Sequence, residues 1–582
     1  MVNVTINGIA IQVEEGTSIL EATRLIGMPV PTLCFLKGIN EIGACRACVV
    51  EVEGEEHAQH LVTACNNTCE EGMVIHTNTT RVREARRTNL ELLLSQHRIN
   101  CPACERNGTC ELQKVVSTMP IGDTMNYKHE YPEDNWDTTL PIIRDESKCI
   151  RCYRCVSFCD KIQSLGIWDM VGTGAHTSVN VSRHRKMGEA DCAFCGQCIT
   201  HCPTNALHTR DDTKAIIGVN GVLNDPDKVV VVQVAPAVRA AWGETFGLAP
   251  EVATEKRMAA ALRRIGFDYV FDTNFSADLT IMEEGTEFLH RLKVGGLERW
   301  PMFTSCCPGW VRFLKSQYPE LTGQLSTAKS PQQMFGSVTK SWFAQKLGVA
   351  PEKIFCVSIM PCVAKKAECE LPTMRTQAGP DVDLVLTTRE FVRMIRADKL
   401  NPMELPEEDL DSPLGAYTGA GAIFGATGGV MEAALRTAAY LVNGENPDPD
   451  AFAAVRTGPG LREAEYELGG SKIRCAVVSG LGNTRKLIQD LKAGRAKYDF
   501  VEVMACPGGC VGGGGQPVSV EDEELYGVRG ARLYHIDRAC KLRFSHENPE
   551  IQQLYREFLG EPLSHRSEEL LHTDHRAWDM PK

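Results

Sequence analysis

Twenty-five cysteines carry most of the chemistry open to this chain of 582 residues. A secreted disulfide scaffold would be short, so clustered cysteines in a chain of this length read as metal thiolates of a reducing compartment. Sixteen of them precede residue 210 and nine follow it, which divides the chain into an electron-wiring half and a chemistry half. In the second half, Thr304-Ser305-Cys306-Cys307-Pro308-Gly309-Trp310 stands out. Neighbouring side chains diverge, so one cysteine of such a pair can ligate a metal while the other faces a different part of the same cavity. Trp300 to Phe303 is apolar and Pro308 stops a regular element, which puts the pair at the end of a buried strand. Alone, the pair reads as two buried structural cysteines; the other motifs overturn that reading.

Cys34, Cys45, Cys48 and Cys65 form a C-x10-C-x2-C-x16-C set. It follows a predicted hairpin (Val2 to Ile6 and Ile9 to Val13, turning at Asn7-Gly8) and a helix capped at Thr17 or Ser18 and running to Ala22. Residues 1–78 resemble a β-grasp 2Fe–2S ferredoxin of the plant type, with a first loop longer than the usual spacing. Cys69 competes as fourth ligand; Cys65 is preferred because Leu61-Val62-Thr63-Ala64 gives it a strand to end. Zinc is the alternative occupant. In residues 79–118 a helix from Val82 to Leu94 runs into His97-x3-Cys101-x2-Cys104-x5-Cys110. Neutral imidazole in place of one thiolate makes a cluster less negative and raises its potential. Such a set suits zinc equally; between two iron–sulfur modules it points to a small helical 4Fe–4S domain. It resembles the His-ligated cluster of iron-only hydrogenases and of a respiratory complex I subunit. Residues 111–140 read as a polar connection.

The strongest repeat is Cys149-x2-Cys152-x2-Cys155-x3-Cys159 followed by Cys192-x2-Cys195-x2-Cys198-x3-Cys202. Residues 139–212 thus resemble a bacterial 2×(4Fe–4S) ferredoxin. There the fourth cysteine of each run serves the other cluster, pairing Cys202 with Cys149, Cys152 and Cys155, and Cys159 with Cys192, Cys195 and Cys198. A linker around Asn224-Asp225-Pro226-Asp227 leads into a large α/β domain, residues 228–545, and a helical tail, 546–582.

The elements that must position the second-half cysteines are continuous apolar runs, as expected of strands covered on both faces. They are Val229 to Val234, Tyr269 to Phe271, Ile354 to Met360, Leu384 to Leu386, Ala476 to Val478 and Phe500 to Met504, alternating with helices such as Glu255 to Ile265 and Thr427 to Leu441. Several runs end alike, in Ala235-Pro236, Cys307-Pro308, Pro361-Cys362 and Cys506-Pro507, so cysteines from separate strand ends converge. Glycines around Cys506 and Cys510, then Gly512 to Gly515, let backbone approach a large inorganic group. A phosphate loop is the alternative, without its usual sequence context.

TSCCPGW (304–310), IMPCVAKK (359–366) and EVMACPGGCVGGGGQP (502–517) resemble the three signatures of FeFe hydrogenases, and the module order resembles theirs over essentially the whole chain. The resemblance implies an H-cluster: a 4Fe–4S unit held by Cys307, Cys362, Cys506 and Cys510, with Cys510 also bridging to a di-iron subsite bearing CO, cyanide and azadithiolate. Maturation proteins would deliver that subsite. Protons would pass through Cys306, Glu284, Ser326 and Glu287, and Lys365 would donate to a cyanide. Pro236, Gln332, Met360, Phe424 and Met504 would line the pocket. Read without the resemblance, these five are plain packing, and Glu284 and Glu287, three apart on one predicted helix (Leu279 to Leu292), are a solvated acidic face. Cys69, Cys356, Cys369, Cys475 and Cys540 read as small buried hydrophobes, and His565, His572 and His575 as part of a surface helix.

The implied enzyme interconverts protons and H2, with electrons relayed through one 2Fe–2S and three accessory 4Fe–4S clusters. The outline resembles catalytic subunits of NAD(P)-linked, electron-bifurcating hydrogenases, with ferredoxin and flavin- or NAD(P)-binding subunits as partners. A sensory relative or a complex-I-like electron-transfer subunit is the alternative. A net charge of −13 argues against nucleic-acid binding. With no signal-like start and no apolar run of membrane-spanning length, a cytoplasmic location is expected.

Overall fold

The computed structural model describes all residues except 54–58, 120, 122–130, 132–134, 296, 298, 457–459, 520–523 and 582. Part of the connection expected at 111–140 therefore lies outside the described residues. It opens on a helix, Glu111–Ser117, instead of turns, because the Cys110 sulfur caps it by accepting from the Gln113 N–H at 3.5 Å.

Five strands make the first sheet: β1 (Val2–Ile6), β2 (Ile9–Val13), β3 (Val49–Glu53), β4 (Gln59–Thr63) and β5 (Val74–His76), in the order β2-β1-β5-β3-β4. The β1–β2 hairpin turns on Asn7 and Gly8, both at positive φ, the twist that short hairpins favour. Helix Ile19–Leu25 starts at Ser18, whose hydroxyl accepts from the Glu21 N–H, and lays Ile19, Leu20 and Ala22 on the sheet. Two antiparallel pairs frame the duplicated cysteine runs: β6 (Ile142–Arg144) with β9 (Leu207–Thr209), and β7 (Trp168–Val171) with β8 (Ser178–Val181).

The strands beyond residue 228 divide between two sheets. β10 (Val229–Val234), β11 (Tyr269–Asp272), β13 (Ile354–Met360) and β16 (Leu384–Thr387) form one, wholly parallel, in the order β11-β10-β13-β16. A small pair, β14 (Arg375–Thr376) with β15 (Gly379–Pro380), precedes β16. The other sheet runs β12-β19-β18-β17, from β12 (Met302–Phe303), β17 (Leu461–Leu468), β18 (Ser471–Ser479) and β19 (Phe500–Met504). Its edge strand β17 is antiparallel and carries no apolar run, since only Leu468 of it is buried. The helix expected from Thr427 begins two residues later, Gly429–Asn443, because Gly428 turns in at φ 87°.

Helix Thr273–Val294 packs against helices Pro331–Val338, Gly419–Ile423, Gly429–Asn443 and Pro549–Leu554, and its first sixteen residues are almost all buried. The solvated acidic face is thus overturned: Glu283 and Glu284 are 0% exposed and Glu287 6%. The tail also departs from a surface helix. Only His565, at the start of helix His565–Leu571, is exposed; His572 lies past its end and His575 is buried. Ile551, Leu554, Tyr555, Phe558 and Leu559 enter the core around β10 and β13, because the long helix leaves them an apolar groove. No helix among the described residues is long and apolar enough to cross a membrane.

Glu283 pins that tail, accepting from the Tyr555 hydroxyl at 2.5 Å and the Leu563 N–H at 2.9 Å, with His572 Nε2 at 3.1 Å. Glu283→Ala would strand those donors in the core and should cost about 3 kcal/mol. Hydrogen exchange across 555–575 should rise; unchanged protection there would contradict the pin.

Candidate metal centre and proton path

Cys306, Cys307, Cys362 and Cys506 each sit just past a strand end, where a proline redirects the chain. Pro308 does more than stop β12: it opens helix Pro308–Gln317 at the first turn, where a missing N–H does no harm. Pro236 does the same for Pro236–Arg239 after β10. After β13, Pro361 and Cys362 lead into helix Ala364–Glu368, and after β19, Cys506 and Pro507 lead into Gly508 and Gly509, both at positive φ. Since β10 and β13 are parallel, as are β12 and β19, these turns meet at one place.

There a cavity of about 60 Å³ is lined by Pro236, Cys306, Gln332, Met360, Cys362, Lys365, Phe424, Met504 and Cys510 among others. Cys307 stands beside it, its sulfur accepting from the Ala505 N–H at 3.4 Å, and the Cys506 thiol donates to the Cys195 carbonyl at 3.7 Å. The thiols of Cys307, Cys362, Cys506 and Cys510 are near enough to oppose one another's ionisation, after burial as the main cause. Burial pushes Cys362 up to about 12. All are free cysteines. Such enclosed sulfurs become thiolates only beside a strong positive charge, which cluster iron supplies, so the donor set fits a 4Fe–4S group. Among the described residues no three His, Cys, Asp or Glu side chains could close on a single metal ion.

Lys365 is 8% exposed, and its buried charge already has an anion: Glu368, 2.9 Å from Nζ, which outweighs burial and keeps the ammonium charged. Its burial alone therefore does not require a ligand anion, although Nζ also donates to the Cys306 carbonyl at 3.1 Å, beside the cavity. Gln332 is held as well as packed, donating to Glu368 at 3.1 Å and accepting from the Ser358 hydroxyl at 2.7 Å.

From Cys306 a line of polar groups leads outward. Neither Glu284 oxygen meets a partner at hydrogen-bond geometry, although the Ser326 hydroxyl and the Ser305 N–H lie near enough to favour its charge. Burial first, then the charge of Glu287, raise Glu284 to about 8. Ser326 donates to Glu287 at 2.8 Å, and Glu287 takes Arg291 at 2.6 Å and the Thr327 N–H at 3.0 Å. The Arg291 side chain is 21% exposed, so the line reaches the surface. Arg291 was legible as an i,i+4 partner of Glu287. His575, which meets the Ser326 carbonyl at 2.9 Å from far along the chain, had no sequence signal. Nor had Glu502, which accepts from the Gly428 and Met431 N–H groups and which burial raises to about 7.

In the first half, Cys34 is within hydrogen-bond reach of Cys45 and Cys65, and Cys48 of Cys65. Cys69 stands outside this group; burial alone raises it to about 11. His97 is buried and its Nδ1 meets the Lys148 carbonyl at 3.1 Å, which leaves Nε2 as the nitrogen that could serve as a ligand. Burial keeps that imidazole neutral. Beyond burial, Cys202 acts on Cys149, Cys152 and Cys155, whereas Cys159 stands with Cys192, Cys195 and Cys198, the same two crossed sets. Asn40, fully buried, donates to the Cys34 carbonyl at 2.6 Å and the Cys152 carbonyl at 2.9 Å, stitching two cages together. Gln163 and Gln197 stitch the last cage to the cavity, donating to the Ala505 and Gly512 carbonyls at 2.9 and 2.8 Å.

One member of the glycine run, Gly514, lies in that seam. A Cβ on Gly514 would stand 2.5 Å from Gly196 Cα and 2.6 Å from the Cys195 carbonyl. Gly514→Ala must push the two backbones apart and should destabilise by about 1–3 kcal/mol. Hydrogen exchange should rise at Gln163 and Gln197; unaltered exchange at both would refute the seam.

Residues 228–514 match the family described as iron only hydrogenase large subunit, C-terminal domain, and 523–578 that of the iron hydrogenase small subunit. Ahead of them lie matches to a 2Fe-2S iron-sulfur cluster binding domain (1–80), an NADH-ubiquinone oxidoreductase-G iron-sulfur binding region (86–124) and a 4Fe-4S dicluster domain (141–203). The chain is 46% identical to the NADP-reducing hydrogenase subunit HndD of Solidesulfovibrio fructosivorans over 98% of both chains. It is 38% identical to iron hydrogenase 1 of Clostridium pasteurianum over 98% of this chain and 99% of that one. A solved structure of apo [FeFe]-hydrogenase HydA1 from Chlamydomonas reinhardtii, a variant, superposes with a TM-score of 0.55 at 46% identity. It covers 62% of this chain and 96% of that chain.

Proposed function

The chain belongs to the iron-only hydrogenase family, and from that premise we propose how its residues divide the work. It is an FeFe hydrogenase catalytic subunit with N-terminal iron–sulfur domains, an oxidoreductase acting on H2. The observation that carries the division is one cavity lined by Cys306, Cys362, Lys365 and Cys510, with Cys307 and Cys506 at its edge. Cys307, Cys362, Cys506 and Cys510 hold the 4Fe–4S unit of the H-cluster. When bound, the cluster supplies the redox-active iron at which H2 is formed or split, on a di-iron subsite bearing CO, cyanide and azadithiolate. Pro236, Gln332, Met360, Phe424 and Met504 shape the pocket and exclude water, and Lys365 supplies the positive charge at its wall.

Protons travel between Cys306 and solvent through Glu284, Ser326 and Glu287, with Arg291 at the outer end. A carboxyl raised to about 8 suits the work, being able to hold a proton and release it near neutral pH. Below pH 8 Glu284 is mostly protonated and can deliver; above it the carboxylate prevails and delivery slows.

One 2Fe–2S cluster on Cys34, Cys45, Cys48 and Cys65 in a β-grasp domain (1–78) lies at the outer end of the wiring. A 4Fe–4S cluster on His97, Cys101, Cys104 and Cys110 (79–118) and two more on the crossed sets of 139–212 complete it. The catalytic domain spans 228–545, and the tail 546–582 completes its core. HndD is by name a subunit of an NADP-reducing enzyme. We extend that to flavin- and NAD(P)-binding partner subunits, with ferredoxin as a further carrier, in the cytoplasm where NADP is found. Maturation proteins deliver the di-iron subsite.

The test is H2 production from reduced methyl viologen by anaerobically matured protein of known iron content. Activity should vanish when the di-iron subsite is withheld and the other clusters remain, and the isolated chain should not reduce NADP+ with H2 unaided. A complete H-cluster without turnover would overturn the enzyme reading. Cys306→Ala and Glu284→Gln should each keep their clusters yet lose at least about 100-fold in rate. In wild type, H2 evolution should fall as pH rises through about 8. Undiminished rates in either variant would remove that residue from the path.

A further inference from the structure

A second cavity, of about 70 Å³, opens where the loop after Cys104, the turn at Cys202 to His208 and helix Thr388–Ala397 meet. Arg106, Arg389, Arg393, Arg396 and His208 line it, in a chain of net charge −13. Their charges are unevenly met. Arg393 is matched by Glu105 at 2.6 Å and Asp211 at 3.1 Å, and Glu105 is the one carboxylate among the described lining residues. Arg389 donates only to main-chain carbonyls, those of Gln516 and Gly514, at 2.7 Å each. Burial lowers Arg389 to about 10, with the Glu105 charge opposing it and Arg106 adding to it. Arg396 reaches the Thr245 carbonyl at 3.1 Å. Arg106 is 6% exposed, and neither its Nε nor its Nη2 has an acceptor; the same holds for Nδ1 of His208. A buried guanidinium nitrogen without an acceptor is unfavourable, so Nε and Nη2 of Arg106 are open to a further acceptor.

We propose that this cavity binds a small oxyanion, a phosphate or a carboxylate of similar size, held chiefly by Arg106 and Arg389. Planar guanidinium donors in a partly enclosed site recognise such groups through paired, charge-assisted hydrogen bonds. Binding stands apart from the hydrogenase reading, but its consequence rests on it. Cys202 belongs to the same wall, and Arg106 is near enough to Cys110 to favour its thiolate. A bound anion offsets that positive charge and lowers the reduction potential of the accessory clusters assigned to these two cysteines.

The experiment is equilibrium dialysis of radiolabelled phosphate against anaerobic holoprotein in phosphate-free buffer, with chloride fixing the ionic strength and acetate as competitor. One saturable site at or below about 1 mM is expected, weakened about tenfold or more by Arg106→Gln and less by Arg396→Gln. Absence of saturation by about 10 mM, or equal affinity in Arg106→Gln, would overturn the site. Competition by acetate would identify carboxylates as ligands too, and its absence would restrict the site to phosphate-like anions. A potentiometric titration followed by electron paramagnetic resonance should show the accessory signals moving to lower potential with phosphate in wild type and not in Arg106→Gln. Binding without that movement would refute the tuning role. Loss of H2 turnover with binding intact would count against the hydrogenase reading instead.

Discussion

Sulfur that burial forbids to ionise is the constraint on which the rest of this structure depends. A thiolate in a low-dielectric interior is unfavourable, and four together repel one another as well. The fold gathers them regardless, at the ends of parallel strands and around the cages of the first half. A bound metal group makes such a collection favourable, so binding and folding share one free energy, as in other metal-dependent domains. The protein's share is to keep backbone close: Gly514 against Gly196, and N–H groups such as that of Ala505 aimed at sulfur.

Protons meet the opposite requirement to electrons. The cages are joined by short stitches through Asn40, Gln163 and Gln197, which fix relative distances across the interior. The line from Cys306 to Arg291 is looser at its inner end, where Glu284 has no fixed partner, and tight at its outer end. A carboxyl without a fixed partner can turn between a thiol and a hydroxyl, whereas Glu287 is held at one place by Arg291 and the Thr327 N–H. That asymmetry has a physical cause, because Glu284 lies on the buried flank of its helix one turn before Glu287.

Motifs whose spacing is set by the ligand were legible in the sequence. Fifteen of the sixteen cysteines before residue 210 and the strand-end turns at Cys307, Cys362 and Cys506 stand out in the order of residues, since cluster geometry dictates local spacing. The apolar runs gave β10, β13 and β19 their bounds almost to the residue. Long-range packing was not legible. An acidic helix looked solvated because the groups that cover it come from residues 331–338, 419–443 and 549–554. His575 looked like part of a surface helix because its contact, Ser326, is about half the chain away.

The tail's place in the core sets an order of events during synthesis. Domains generally fold as units from the N-terminus while the chain is still being made. The cages of the first half draw their cysteines from residues 34–202 and can close early. The long helix and the sheet of β10 and β13 lack Tyr555, Phe558 and Leu571 until residues 555–571 have been made. The core behind the cavity therefore closes well after the cages of the first half.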